Sequence, residues 1–195
     1  ESIENETETM LRVKPSQVKS YSLTHSETGT PTYSVQGTKH GGRITFDGST
    51  SLAINDDSLL DITDEITLSG YFYLPATESG DTTVFLLSKG VYSLEVQPHI
   101  IGANTIRGNV TIGGTFYDVT GTYTANAWNQ IVLTWKSPNV KLYINGTLED
   151  TNTNASGVLD TNSESFEIGD GTEPSASSST VALSSTASSL TNVPI

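Results

Sequence analysis

The chain contains no cysteine, so neither a disulfide nor a thiolate-ligated metal is available to it. At 195 residues it needs neither, because a chain of this length can bury a core without covalent staples. Positive charge is almost as scarce. Nine lysines and arginines stand against 22 aspartates and glutamates, for a formal net charge of −13. Such a surface repels phosphate backbones, which argues against nucleic acid as a partner, and it repels anionic lipid headgroups for the same reason. No apolar run approaches the ~18–20 residues of a membrane-spanning helix, so no membrane insertion is expected. Charged residues of both signs make up only 16% of the chain, against roughly 25% in an ordinary soluble domain. Ser, Thr, Asn and Gly take their place. A hydroxyl- and amide-rich acidic surface of this kind fits an extracellular, cell-surface or virion-surface protein better than a cytosolic enzyme.

Catalytic signatures are missing as well. His25, His40 and His99 have no cysteine partner, no G-x-S-x-G turn and no H-E-x-x-H motif. A glucanase strand of the form Glu-x-Asp-x-x-Glu, which sets acid and nucleophile on one face, is absent, and neither Glu149-Asp150 nor Glu164-x-x-Glu167 replaces it. The chain is therefore read as a non-enzyme.

What is present is alternation. ITLSGYFYL (66–74) places Ile66, Leu68, Phe72 and Leu74 on one face and Thr67, Ser69, Tyr71 and Tyr73 on the other. TVFLLS (83–88) and VYSLEV (91–96) are separated by Lys89-Gly90, a hairpin-like pair. TIRGNVTI (105–112) and TFYDVT (115–120) flank Gly113-Gly114, while RITF (43–46) and SLAI (51–54) flank the turn composition Asp47-Gly48-Ser49. In WNQIVLTWKSPNVKLYINGTLED (128–150), Ile131, Leu133 and Trp135 alternate with Val132 and Thr134. Val140, Leu142 and Ile144 follow, and Asn145-Gly146 calls for a type I′ hairpin turn. ESFEIG (164–169) is one more strand. Short strands with turn signals every ~8–12 residues predict an all-β antiparallel sandwich or barrel. Residues 1–20 read as an irregular acidic N-terminal arm. Residues 21–171 read as the sandwich. Residues 172–195 are Ser/Thr-rich and read as a tail, a linker or an exchanged strand, although TVAL within them has strand character.

Two stretches carry a family resemblance. GTKHGGRITFDGSTSLAINDDSLLDITDEITLSGYFYLP (37–75) resembles the N-terminal half of laminin-G-like, concanavalin A-like lectin/glucanase modules. AWNQIVLTWKSPNVKLYINGTLED (127–150) resembles their second signature, and FEIGDG (166–171) the strand that follows. The resemblance covers about residues 37–171 and implies a two-sheet jelly roll. It implies little about function, because such modules occur in lectins, enzymes, adhesins and capsid-associated proteins. The chain departs from the family in lacking an Asp/Asn-rich loop near 22–35 and an Ile-Asp-Glu-Val closing strand in 172–195. Those places often supply a structural calcium in such modules. No cofactor is required by this reading, and Asp47 is the family-implied calcium ligand if one is bound.

The remaining candidates follow from residue type. Trp128 and Trp135 are expected in core or rim packing, Trp135 with Ile131 and Leu133, and Trp128 over a sheet edge. Tyr71, Tyr73, Tyr117, Asp118 and Tyr123 are candidate ligand contacts: aromatic planes beside hydroxyl and carboxylate groups. Asn55-Asp56-Asp57, Asp61-x-x-Asp64-Glu65 and Asp160-x-Asn162-x-Glu164 have alternating oxygen donors but no EF-hand glycine or distal glutamate, and read as solvated acidic turns. Asn5, Asn109, Asn145 and Asn154 head glycosylation sequons, relevant on a glycosylating secretory route. Two functions are expected: a lectin-like module for glycan recognition or adhesion, with glycans or surface proteins as partners, or a structural subunit of a filament, capsid or appendage. The second would form a homo-oligomer, its terminal arms adding strands to a neighbour's open sheet edge.

Overall fold

The computed structural model describes residues 25–30, 32–34, 43–46, 50–77, 83–97, 102–169 and 181–184. Among the described residues fourteen strands appear in chain order: β1 (His25–Thr28), β2 (Thr32–Ser34), β3 (Arg43–Phe46), β4 (Ser51–Ile54), β5 (Glu65–Leu74), β6 (Val84–Ser88), β7 (Tyr92–Val96), β8 (Thr105–Ile112), β9 (Thr115–Thr122), β10 (Ala127–Lys136), β11 (Asn139–Ile144), β12 (Thr147–Asn152), β13 (Phe166–Ile168) and β14 (Val181–Ser184). They form two seven-stranded sheets. Sheet one runs β1-β4-β13-β6-β7-β8-β9, and sheet two runs β12-β11-β10-β5-β14-β3-β2. All pairings are antiparallel. This is the expected jelly-roll sandwich.

Alternation decides which side chains enter the core. β5 alternates half-buried and buried positions along its whole length, with Ile66, Leu68, Phe72 and Leu74 pointing inward. β10 does the same, burying Ile131, Leu133 and Trp135. The two pair in register from Ala127↔Leu74 to Lys136↔Glu65. Sheet one answers from its inner face with Tyr92, Leu94, Val96, Ile106 and Val110. Each such side chain removed from water contributes about 1.5–3 kcal/mol before conformational entropy is counted. Trp135 keeps its one polar atom satisfied by donating from Nε1 to the Ala155 carbonyl at 3.1 Å, as a buried indole requires. Asn145 (φ 52°) and Gly146 (φ 81°) take the left-handed turn that their sequence demands.

Two features differ from the sequence expectation. β12 follows the Asn-Gly turn as a polar edge strand with no apolar alternation to mark it. A strand stands at Val181–Ser184 without the family's Asp-Glu. It pairs with β3 on one side and β5 on the other, both in the same chain, and fills an interior position of sheet two. The vacant position that motivated assembly by strand exchange is thus occupied from within.

The free edge of β9 is guarded rather than open. Asp150 of β12 accepts from the Thr120 amide at 3.0 Å, and the Asn152 amide donates to the Asp118 carbonyl at 3.2 Å. Side chains of one sheet's edge strand thereby satisfy the backbone of the other's. At the far end of β13, Gly169 has φ +74°, and a Cβ built there would run into the ring of Phe46. Gly169→Ala is expected to cost ~2–4 kcal/mol, the sum of left-handed strain and overpacking, read as a lower urea midpoint at unchanged m-value.

Candidate functional site

The outward face of sheet two carries an aromatic band. On β5, Tyr71 and Tyr73 are half-buried and point away from the core. Trp128, Gln130 and Val132 on β10 and Tyr143 on β11 do the same. Register sets them side by side: Trp128 opposite Tyr73, Gln130 opposite Tyr71, Val132 opposite Tyr143. The Tyr73 and Trp128 rings meet edge to face, centroids 5.9 Å apart at 70°, a favoured quadrupole geometry. The result is a set of partly accessible rings bearing hydroxyl, amide and indole groups on a rigid sheet. Aromatic planes with a few polar groups are the composition of a small-ligand surface. Tyr71 and Tyr73 were legible as candidates. Trp128 and Tyr143 join them only through strand pairing.

The other sequence candidates lie elsewhere. Tyr123 is buried, its hydroxyl donating to the Pro75 carbonyl at 2.8 Å, so it offers no exposed plane. Tyr117 faces inward and packs against the core. Asp118 is its outward neighbour, paired with Arg107 Nε at 3.2 Å on sheet one. That outward face is polar and closed. Asn109 Nδ2 donates to Ser93 Oγ at 2.6 Å and to Glu95 Oε1 at 3.2 Å, while Arg107 lies 3.5 Å from the same carboxylate and 3.2 Å from Gln97 Oε1. Asn109 Oδ1 and Thr111 Oγ1 are buried there without a hydrogen-bond partner. Phe116, unremarked in the sequence, is 60% exposed at the rim of this face.

The family model for the concanavalin A-like lectin/glucanases superfamily matches residues 46–185. The chain belongs to that superfamily. The match extends past β13 to include β14, beyond the reach of the sequence resemblance. Among solved structures, this superfamily member is similar to the binding domain of Paraclostridial Mosquitocidal Protein 1 (TM-score 0.66, 12% identity, 84% of this chain and 43% of that one). It is also similar to the binding domain of botulinum neurotoxin serotype G (TM-score 0.65, 11% identity, 85% and 42%). A third is botulinum neurotoxin type C, whose cell entry is dependent upon interaction with two ganglioside molecules (TM-score 0.59, 14% identity, 84% and 42%). The chain spans less than half the length of each, and at these identities the likeness establishes the fold. No curated protein sequence matches the chain.

The acidic loops of this superfamily member have structural work. Asp160 clamps the β8–β9 turn, its two oxygens accepting from the Gly113 and Gly114 amides at 2.8 Å each. Asp57 caps a 3-10 turn at Ser58–Leu60 through the Leu59 amide. Asp56, Asp61, Asn162 and Glu164, expected as solvated turns, converge instead on Lys89, whose side chain is fully buried. Among the described residues no group of three or more histidine and acidic side chains could hold a metal ion, and no helix is long and apolar enough to cross a membrane. Asp47, Asn5, His40 and His99 lie outside the described residues, as does the side chain of His25. Of the remaining sequon residues, Asn145 and Asn154 are exposed, whereas Asn109 is buried with its amide nitrogen committed as above.

Beside the lysine, Tyr92 is fully buried and donates to the Leu60 carbonyl at 2.8 Å. Burial, and secondarily the Asp61 carboxylate, push its hydroxyl well above the usual tyrosine range. A raised folded-state value means that this stabilisation is complete below the unfolded-state value of ~10 and drains away as pH rises through the folded one. Tyr92→Phe should lose about 1 kcal/mol near neutrality with the hydrogen bond. Above pH ~10 its stability should fall less steeply than that of the unaltered protein, as followed by urea titrations across that range.

Proposed function

We propose that this chain is a non-catalytic, lectin-like binding module that operates outside the cell, on a cell surface or on a virion, and that it recognises glycans through the outward face of sheet two. The observation carrying the reading is the band of Tyr71, Tyr73, Trp128 and Tyr143, set in register across three adjacent strands. Rings of this kind stack on the apolar face of a sugar ring, while tyrosine hydroxyls and the Gln130 amide supply hydrogen bonds to its edge. A formal net charge of −13 disfavours polyanions, so neutral hydroxyl-bearing sugars fit best. The neighbouring binding domains, one of them from a toxin that interacts with gangliosides, support a binding role. The missing glucanase carboxylates support the absence of turnover.

The test is a glycan array followed by calorimetry on any hit. Tyr71→Ala and Trp128→Ala should each weaken binding about tenfold or more. Phe116→Ser, on the opposite sheet, should leave it unchanged. An array without hits, or a loss that follows Phe116 rather than the band, would overturn the reading.

A further inference from the structure

The β6–β7 turn holds an unusual object: a lysine ammonium with no exposure to solvent. Its hydrogen-bond and ion-pair partners are all oxygen atoms. Asp56 Oδ1 lies at 2.7 Å, the Glu164 carbonyl at 2.9 Å, the Asn162 carbonyl at 3.3 Å, Asn162 Oδ1 at 3.4 Å and Asp61 Oδ1 at 3.7 Å. Two separate loops supply them, 55–61 and 160–164, while the lysine itself stands on the β6–β7 turn. Asn162 closes the ring by donating back to the Lys89 carbonyl at 2.8 Å. Gly90 (φ +79°) lets the 160–164 loop approach, since a Cβ there would collide with the Glu164 carboxylate and lie 2.7 Å from Asn162 Nδ2. Asp61 Oδ1 is buried and has no hydrogen-bond donor.

A mixture of carboxylate, amide and backbone carbonyl oxygens drawn from several loops is the donor set of a calcium site. Here its centre is filled by the chain's own cation. Charge is not balanced either: two carboxylates face one ammonium, which leaves a formal excess of one negative charge that a divalent ion would cancel. We propose that this cage is a cation-binding site occupied by a tethered ammonium in place of calcium, and that removing the Lys89 side chain exposes a latent calcium site. The module is then ordered at this end without divalent metal, independently of whether sheet two binds sugar. Calcium prefers oxygens at ~2.3–2.6 Å, so Asp56 Oδ1 at 2.7 Å and the Glu164 carbonyl at 2.9 Å need to close in by a few tenths of an ångström, and Asp61 Oδ1 at 3.7 Å by about 1 Å.

The test compares the unaltered chain with Lys89→Ala, Lys89→Met and Lys89→Ala/Asp56→Ala, all refolded in parallel with and without calcium. The unaltered chain should melt at the same temperature in calcium and in chelator. Lys89→Ala should melt lower, and calcium at a hundredfold excess over its Kd should raise its midpoint by on the order of 5–10 °C. Terbium in place of calcium should give luminescence sensitised by Tyr92 in Lys89→Ala alone. Lys89→Met, with its thioether filling the space, should be destabilised and unresponsive. A Lys89→Ala protein that ignores calcium and terbium, folded or not, overturns the proposal. So does a calcium response retained in the double variant, which would place the ion elsewhere. An intact mass of the unaltered chain lower by one water or one ammonia would also overturn it, since an amide between Lys89 and Asp56 or Asn162 leaves no cation in the cage.

Discussion

One buried positive charge organises an entire end of this molecule. An ammonium taken out of water costs several kcal/mol unless carboxylates and carbonyls replace its hydration. Lys89 meets that demand with groups 28 to 75 positions away in the chain. Each partner therefore fixes a loop, and the loops fix one another. The 55–61 segment is held between Lys89 and the Tyr92 hydroxyl, which reaches the Leu60 carbonyl. The 160–164 segment is held between Lys89 and the β8–β9 turn, through Asp160 on the Gly113 and Gly114 amides. A chain without cysteine obtains from ion pairing and hydrogen bonding the cross-linking that a small secreted domain often obtains from disulfides.

The same economy explains much of the acidic surplus. Carboxylates that look available for catalysis or metal binding are spent on backbone donors and on the buried Lys89 ammonium. Asp150 ties the edge of sheet one to β12, Asp57 starts a helical turn, and Asp56 and Asp61 face Lys89. The surface proposed for recognition is the broad outward face of sheet two. The strands that bury Leu68, Phe72, Ile131 and Leu133 on their inner side present Tyr71, Tyr73, Trp128 and Gln130 on the other. Core packing thus sets the positions of the exposed rings.

Period-two alternation made β5, β10 and β11 and their inward residues readable, because each strand's burial is written along its own length. The Asn145-Gly146 turn was readable for the same local reason. β12 and β14 were not: one is polar throughout, the other a short segment in a Ser/Thr-rich stretch, and both owe their existence to pairing with distant strands. Lys89 was the largest omission. Beside glycine between two apolar strands it reads as an exposed turn residue, and its partners are scattered over acidic stretches that each look solvated alone. The candidate site was half legible. Tyr71 and Tyr73 follow from the polar face of one strand, whereas Trp128 and Tyr143 join them only once register is known. Tyr123 was misleading, because its period places it at a loop-rich edge while its hydroxyl reaches inward to Pro75.

Of the chain's two tryptophans, one is locked in the core with its indole nitrogen on the Ala155 carbonyl, and the other stands in the aromatic band against Tyr73. Their indole N–H signals in a nitrogen-15 spectrum report on the two environments separately. Titration with a neutral oligosaccharide selected on the array should move the Trp128 signal in a saturable way and leave that of Trp135 in place. Saturable binding that leaves Trp128 unmoved would contradict the assignment of recognition to sheet two.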